Sequence, residues 1–329
     1  MPQHVGTVPA QEWVDTPVQG ILLIFIGMSL FSAQDVAIRL MSGNLSAVQI
    51  MFLRGALAII PMALLVTFRG GLSSFRTSHP FLLAARSCLM VSSYLLYYLA
   101  MAAVPIADVT AIFFVAPLVT TLFSIFFLKE SVGYRRWIAV ACGFIGVLII
   151  VQPGSGTLEP AALFVLGSSV AYAGSIMITR RVGRTQSGAS LAFYAMSGFV
   201  ILSGIGGLAF GDGAYAGNGH ASLEFLFRGW VMPSSREWML IALCAGIATC
   251  GFYCLSQGYR IAPASVVAPF EYIAMPLAVI WGLAVWNEVP AHTTFIGIAL
   301  IIGSGFYVLH REHIHSRKIN TGRGIRIRL

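Results

Sequence analysis

Ten apolar runs, each close in length to a membrane-crossing helix, divide this chain of 329 residues. A helix needs about 20 apolar residues to cross the hydrocarbon core of a bilayer. The chain is 57% hydrophobic and 10% charged, whereas soluble domains carry roughly 25% charged residues. We therefore predict an all-α integral membrane protein with ten transmembrane helices, at about residues 19–41, 46–67, 80–102, 105–128, 136–152, 160–180, 189–210, 238–259, 263–286 and 292–310. The connection 211–237 is predicted to be a Gly-rich polar loop.

The basic residues are distributed unevenly between the connections. Fifteen of the 20 Lys and Arg residues lie on the side of the two termini, and three lie on the opposite side. Basic loops stay in the cytoplasm, so both termini are predicted to be cytoplasmic. The net charge of +8 is then a topology signal, helped by anionic membrane lipid at the basic tail, and we expect no nucleic-acid partner.

The chain repeats its own pattern. Residues 97–130 and 254–288 each contain a helix end, a Pro-containing turn and a long apolar helix with a proline midway, and both finish near a Glu. Five runs per half is an odd number, so the halves are predicted to be inverted in the membrane. Inverted repeats with interrupted helices are typical of secondary transporters, whose substrate sites lie between the halves near the midplane. We divide the chain into an N-terminal tail, a first repeat, a second repeat and a basic tail, at 1–18, 19–152, 160–310 and 311–329.

Motifs for nucleotide binding or catalysis are missing from the sequence. No Walker A loop, H-E-x-x-H, C-x-x-C or G-x-S-x-G occurs. The five cysteines all fall inside apolar runs, which argues against a disulfide framework. We expect no enzymatic activity, no cofactor and no metal.

Ionisable residues inside the runs are candidates for function, because a charge at the bilayer centre costs roughly 2.5–3.5 kcal/mol and usually faces a partner or a cavity. Asp35 and Arg54 reach similar depths at about 1.5 Å per residue, which predicts a structural or gating ion pair. A substrate role for either residue is an equal alternative, and Arg39 competes for Asp35. Arg86 either extends towards the cytoplasmic surface or lines a vestibule. Asp108 suits a helix N-terminus.

The stretch APFEYIAMP, residues 268–276, places Glu271 between Pro269 and Pro276 inside an apolar run. A proline removes one backbone donor and blocks the carbonyl four residues earlier. Such freed groups persist at membrane depth only where protein or water satisfies them. Glu271 is therefore predicted either to satisfy freed backbone or to bind substrate. Phe113 stands at the matching place in the first repeat, which suggests a site with one polar and one aromatic half.

Aromatic and polar side chains recur on the runs that are predicted to meet at the centre. Tyr94 and Tyr97 share a helix face, as do Tyr253 and Gln257. Helix packing is one interpretation of these side chains, and a substrate-binding box is the other. The predicted substrate-binding set is Glu271, Tyr94, Tyr97, Phe113, Tyr253, Gln257 and Arg86.

Four segments resemble EamA-domain members of the drug/metabolite transporter superfamily: FLRGALA (52–58), AARSCLMVSSYLLYYLAMAAVPIADVTAIFFVAPL (84–118), GYRRWIAVACGFIGVLIIVQPG (133–154) and APASVVAPFEYIAMPLAVIWG (262–282). The resemblance covers about residues 19–312. It implies a ten-helix inverted-repeat carrier of the bacterial inner membrane. The pattern is most similar to rhizobial-type riboflavin transporters and rickettsial-type S-adenosylmethionine uptake transporters.

The resemblance makes riboflavin uptake the first expectation, with S-adenosylmethionine uptake or amino-acid or drug export as alternatives. Riboflavin is neutral and flat, and needs aromatic faces and hydrogen-bonding groups. S-adenosylmethionine needs a carboxylate for its cationic groups, such as Glu271 or Asp35. Its own carboxylate needs a cation, such as Arg54 or Arg86.

Overall fold

The computed structural model describes most of the predicted runs. The residues described are 17–70, 75, 77, 79–116, 118–120, 122–123, 134–152, 160–182, 186, 188–217, 219–261, 268–304 and 306–307. Regular secondary structure within these residues is entirely helical. The predicted all-α class is therefore confirmed.

Helices occupy all ten predicted runs. The helices are α1 (Pro17–Met41), α2 (Ala47–Gly70), α3 (Pro80–Met101), α4 (Ile106–Phe113), α5 (Tyr134–Val151), α6 (Ala161–Val182), α7 (Gly188–Phe210), α8 (Ala221–Phe227), α9 (Ser235–Ile261), α10 (Ala274–Trp286) and α11 (His292–Ser304). Within the described residues, six helices are long and apolar enough to cross a membrane, namely α1, α2, α3, α6, α7 and α9, and the helices in the other four runs are shorter. Ten membrane crossings remain a prediction.

The short helix α8 corrects the prediction of a loop throughout residues 211–237. The Nδ1 atom of His220 accepts a hydrogen bond from the backbone N–H of Ser222 at 3.2 Å, which caps the helix. Histidine is not among the preferred N-cap residues, so the sequence offered little signal for this start.

Two of the predicted runs contain interrupted helices. Helix α4 ends at Phe113, four residues before Pro117 in the sequence. In a helix, a proline ring clashes with the carbonyl four residues earlier, which here is the carbonyl of Phe113. The Oγ of Ser169 on α6 donates to the Phe113 carbonyl at 3.2 Å, which supplies a partner at this break. In the second half, a 3-10 segment (Ala268–Ile273) precedes α10. Pro276 then lies in the first turn of α10, where a missing N–H costs little.

The helices pack in pairs that each join one half of the chain to the other. Helix α1 packs on α9, α3 on α6, α2 on α7 and α4 on α10. Helix α5 meets α11 through close backbone contact. In run order, helices α1 to α5 of the first half correspond to α6, α7, α9, α10 and α11 of the second half. Under this correspondence the α1–α9 pair is equivalent to the α6–α3 pair, and each of the other pairs is equivalent to itself. Much of the buried interior is therefore an interface between the two halves.

Helices α5 and α11 cross where Gly146 faces Gly297. A Cβ atom on Gly146 would lie 2.9 Å from the carbonyl oxygen of Gly297, and one on Gly297 would lie 2.7 Å from that of Gly146. Small residues at such crossings let helix backbones approach closely within a membrane. Gly146 and Gly297 therefore allow close contact between the two halves.

We expect Gly297→Ala to destabilise the protein by about 1–3 kcal/mol, because the added methyl group forces the two backbones apart. Gly303→Ala on the same helix is the matched control, since a Cβ there meets nothing within 4 Å. The midpoint of thermal unfolding, followed by tryptophan fluorescence in detergent, measures both effects. Equal midpoints for the two variants would show that the crossing tolerates a side chain.

Candidate substrate site

Aromatic rings from four helices form one connected cluster inside the bundle. Tyr97 on α3 contacts Phe113 on α4 with ring centroids 5.2 Å apart, and Phe113 contacts Tyr172 on α6 at 5.4 Å. Tyr94 on α3 packs against Phe199 on α7 at 5.3 Å. The structure thus brings together three of the predicted site residues, Tyr94, Tyr97 and Phe113. Tyr172 and Phe199 were not predicted, because isolated aromatic residues in apolar runs give no distinguishing signal.

A hydrogen-bonded chain links this cluster to the carboxylate of Asp35. The Tyr97 hydroxyl donates to Asp35 Oδ2 at 3.1 Å. The same hydroxyl oxygen lies 3.2 Å from Thr110 Oγ1 on α4, so Thr110 can donate to it in turn. Residues from α1, α3 and α4 therefore hold the Asp35 carboxylate in one orientation.

Arg54 on α2 is enclosed by aromatic rings and is 2% exposed. Its guanidinium carbon lies 4.8 Å from the ring centroid of Phe199 and 5.3 Å from those of Tyr94 and Tyr98. Gln34 Oε1 accepts from Arg54 Nη1 at 2.9 Å, in the amide orientation that satisfies both ends of the Gln34 side chain. The Nη2 atom of Arg54 is buried and has no hydrogen-bond partner among the described residues.

The predicted direct ion pair between Asp35 and Arg54 is not formed. The salt bridge found in the described part of the chain is Arg39–Glu288, and no Arg54 nitrogen lies within 4.0 Å of an Asp35 oxygen. Successive residues of a helix point about 100° apart, so Gln34 faces Arg54 while Asp35 faces Tyr97. Similar depth therefore did not suffice to predict a contact.

Arg86 is held by two neighbouring helices. Its Nε donates to Thr179 Oγ1 on α6 at 2.7 Å, and its Nη1 donates to the Leu191 carbonyl on α7 at 2.9 Å. The guanidinium is buried rather than extended to the membrane surface. Arg86 was predicted to bind substrate, but these bonds join three helices and favour a structural role.

Glu271 lies in the 3-10 segment before α10 and is half-buried. The ring of the next residue, Tyr272, lies 5.2 Å from that of Phe114, which follows Phe113. The segments that carry the predicted polar and aromatic halves are therefore in contact. Tyr253 and Gln257 lie half-buried on α9, which packs along α1, and their part in a site remains a prediction.

A second polar cluster joins the ends of α1, α10 and α11. Arg39 donates to both carboxylate oxygens of Glu288, at 2.8 and 2.6 Å, and lies 4.5 Å from the ring centroid of Trp286. Arg39 therefore does not compete for Asp35, as the sequence had suggested. Nearby, Asp108 in the first turn of α4 accepts a 2.6 Å hydrogen bond from Thr294 Oγ1, so it links α4 to α11.

Membrane-length helices, pairing between two halves and a polar aromatic cluster where the halves meet are the features expected of a multi-pass membrane transporter. The chain belongs to the EamA-like transporter family, whose sequence profile matches residues 18–152 and 159–309. The family predicted from the sequence segments is thereby confirmed.

Named bacterial relatives are transporters rather than enzymes. An S-adenosylmethionine uptake transporter of Rickettsia prowazekii is 22% identical over 297 residues, covering 90% of this chain and 94% of the relative. A riboflavin transporter of Rhizobium johnstonii is 29% identical over 251 residues, covering 76% and 77%. The pseudopaline exporter CntI of Pseudomonas aeruginosa is 25% identical over 292 residues, covering 88% and 95%. The relatives share membrane transport and differ in substrate.

A solved crystal structure has the same overall fold, with a TM-score of 0.61 over 88% of this chain and 96% of that chain. The two sequences are 19% identical, so the likeness concerns the fold alone.

Proposed function

We propose that this protein is an inner-membrane secondary transporter that moves a small, ring-bearing metabolite by alternating access. Two inverted halves of five spans, residues 19–152 and 160–310, rock about a central site, with both termini in the cytoplasm. The observation that carries the proposal is the aromatic and polar cluster around Asp35, Tyr97 and Phe113, which lies among helices of both halves. Ionisable groups at membrane depth are costly and usually serve a substrate or ion pathway.

The aromatic rings suit a flat substrate. Tyr94, Phe113 and Tyr172 each remain partly exposed while packing edge-on against neighbouring rings. Such ring faces and edges suit a heteroaromatic group such as a flavin or an adenine. Riboflavin uptake, the first expectation from the sequence, is supported by these rings and by the riboflavin transporter among the relatives.

S-adenosylmethionine uptake is the second candidate, and a specific observation favours it. The site contains Asp35 and Arg54, which do not neutralise each other through a direct ion pair. Neutral riboflavin has no group that needs them, whereas S-adenosylmethionine carries cationic groups and a carboxylate. Between the two candidates, the charges of the site favour the second.

Growth rescue distinguishes the two substrates. The gene would be expressed in a riboflavin auxotroph without its own uptake system, and in a strain that requires external S-adenosylmethionine. We expect rescue of the second strain at limiting solute. Rescue of the first strain alone would establish riboflavin instead. Absence of labelled-solute flux into proteoliposomes across both solutes and an amino-acid panel would refute transport itself.

Glu271 gives a further prediction for this function. We expect Glu271→Gln and Glu271→Ala each to lower transport by roughly tenfold or more, since each removes a charged hydrogen-bonding group from the second half of the site. Initial flux per inserted protein in proteoliposomes is the measurement. Glu224→Gln is the control, because Glu224 lies on α8 and accepts a bond from the Gly217 N–H outside the site. Wild-type flux from well-inserted Glu271→Ala would assign the residue a structural role.

A further inference from the structure

Arg54 carries a buried donor that has no hydrogen-bond partner among the residues that the structure describes. The side chain is 2% exposed, and its Nη2 atom makes no hydrogen bond among the described residues. An unsatisfied buried donor on a charged group costs more than the roughly 1–3 kcal/mol of a neutral one. The surrounding rings contribute attraction to the cation, but they accept no conventional hydrogen bond from Nη2.

The other two arginines described above differ from Arg54 in this respect. Arg86 uses Nε and Nη1 to join α3 to α6 and α7. Arg39 uses both terminal nitrogens on one carboxylate. In the described part of the chain, neither Arg86 nor Arg39 has a buried nitrogen without a hydrogen-bond partner, whereas Arg54 has one.

The opposite charge lies on the neighbouring helix. Asp35 Oδ2 accepts from Tyr97, and the carboxylate does not pair directly with Arg54. The Tyr98 ring connects the two charges: its centroid lies 5.3 Å from the Arg54 guanidinium carbon and 6.2 Å from the ring of Tyr97, whose hydroxyl donates to Asp35. The cluster thus offers a cation and an anion at separate places beside a partly exposed aromatic surface.

We propose that Arg54 binds the carboxylate of the transported substrate and that Asp35 binds its ammonium group. The substrate class is a metabolite with an amino-acid head group attached to a ring-bearing body. This assignment rests on the transport function proposed above. It also requires another conformation, because Nη2 is closed off from solvent here. A carboxylate that satisfies Nη2 binds the opened state better than the closed one, and so shifts the population towards it.

Ligand pairs that differ only by a carboxylate test the assignment. The probes are S-adenosylmethionine and decarboxylated S-adenosylmethionine, with riboflavin as a neutral comparison. Dissociation constants would be measured with the full-length protein in lipid nanodiscs. Wild-type protein is expected to bind the carboxylate form at least roughly tenfold more tightly, as removal of one charge-assisted hydrogen bond predicts. Arg54→Gln is expected to abolish that preference, while Arg54→Lys retains part of it because its charge remains but its planar donor fork does not.

Arg86→Gln is the matched control. It also removes a buried guanidinium on a neighbouring helix, so it reveals how far lost packing alone changes binding. We expect it to lower thermal stability and to leave the ratio between the two dissociation constants unchanged. The ratio makes the test independent of how much protein folds, and Arg54→Lys provides a second variant if Arg54→Gln folds poorly.

The inference fails if wild-type protein binds the decarboxylated probe or riboflavin as tightly as S-adenosylmethionine, or if the Arg54 variants retain the full preference. A failure of the proposed transport function gives a different result. Binding still depends on the carboxylate, but no probe enters proteoliposomes, and the protein is then a binding protein rather than a transporter. Flux of riboflavin without carboxylate preference would support transport and overturn the Arg54 assignment.

Discussion

Replacement of Asp35 by Asn is expected to lower transport by roughly one hundredfold while the protein still reaches the membrane. The substitution keeps the shape of the side chain but removes the charge that accepts from the Tyr97 hydroxyl at 3.1 Å. Hydrogen bonds to charged groups contribute about 1.5–3 kcal/mol, and loss of the substrate's cationic contact adds to that. Initial flux in proteoliposomes, normalised to inserted protein, is the measurement.

Tyr97→Phe separates the charge of Asp35 from its orientation. The variant leaves the carboxylate in place and removes the hydroxyl that lies between Asp35 and Thr110. We expect a smaller loss of flux, about tenfold, because one charge-assisted bond is lost. Asp212→Asn is the control for Asp35→Asn, since this exposed carboxylate accepts a local hydrogen bond from the backbone N–H of Ala214 at 3.0 Å. Full activity of Asp35→Asn would remove Asp35 from the site.

Disruption of the bridge between Arg39 and Glu288 is expected to produce the second large effect. The bridge holds the end of α1 against the end of α10, with side chains 13% and 24% exposed. Partial burial places its contribution between that of exposed and buried pairs, at about 1–3 kcal/mol. The contact of Arg39 with the Trp286 ring adds about 0.5–1 kcal/mol.

Arg39→Gln and Glu288→Gln are each expected to lower the unfolding midpoint and to reduce transport by roughly five- to a hundredfold, because these helix ends no longer close together. A double-mutant cycle isolates the pair, and the double variant is expected to be no worse than the poorer single variant. Arg236→Gln, at an exposed arginine in the first turn of α9, controls for loss of surface charge. Strictly additive losses would show that the bridge contributes nothing as a pair.

Much of the helical layout was predictable, because the length of an apolar run is visible without knowing what it touches. The predicted run 189–210 is observed as Gly188–Phe210, and 80–102 as Pro80–Met101. The interruptions of the helices in the fourth and ninth runs were predictable from the positions of Pro117 and Pro276. Helix α8 was missed because it is short and lacks a preferred cap.

Side-chain partners were much harder to predict. Asp35 and Arg54 were expected to pair because they lie at similar depth, yet the rotation of α1 points Gln34 at Arg54 and Asp35 at Tyr97. Arg39 was expected to compete for Asp35 because the two are one turn apart, yet it binds Glu288, which lies in the other half of the chain. Depth along a helix is a local property, whereas rotation about its axis depends on every helix packed against it.

The sequence by itself determined that this is a helical, multi-pass membrane protein of one transporter family, because hydrophobic length, proline positions and the internal repeat are properties of the chain alone. Only the tertiary structure decided that Arg54 lies inside an aromatic enclosure with one donor that no described residue accepts from. The rings around it come from α3 and α7, far from Arg54 in the chain. No periodicity in the sequence records which of these side chains meet, because their contacts exist only after the two halves have packed together.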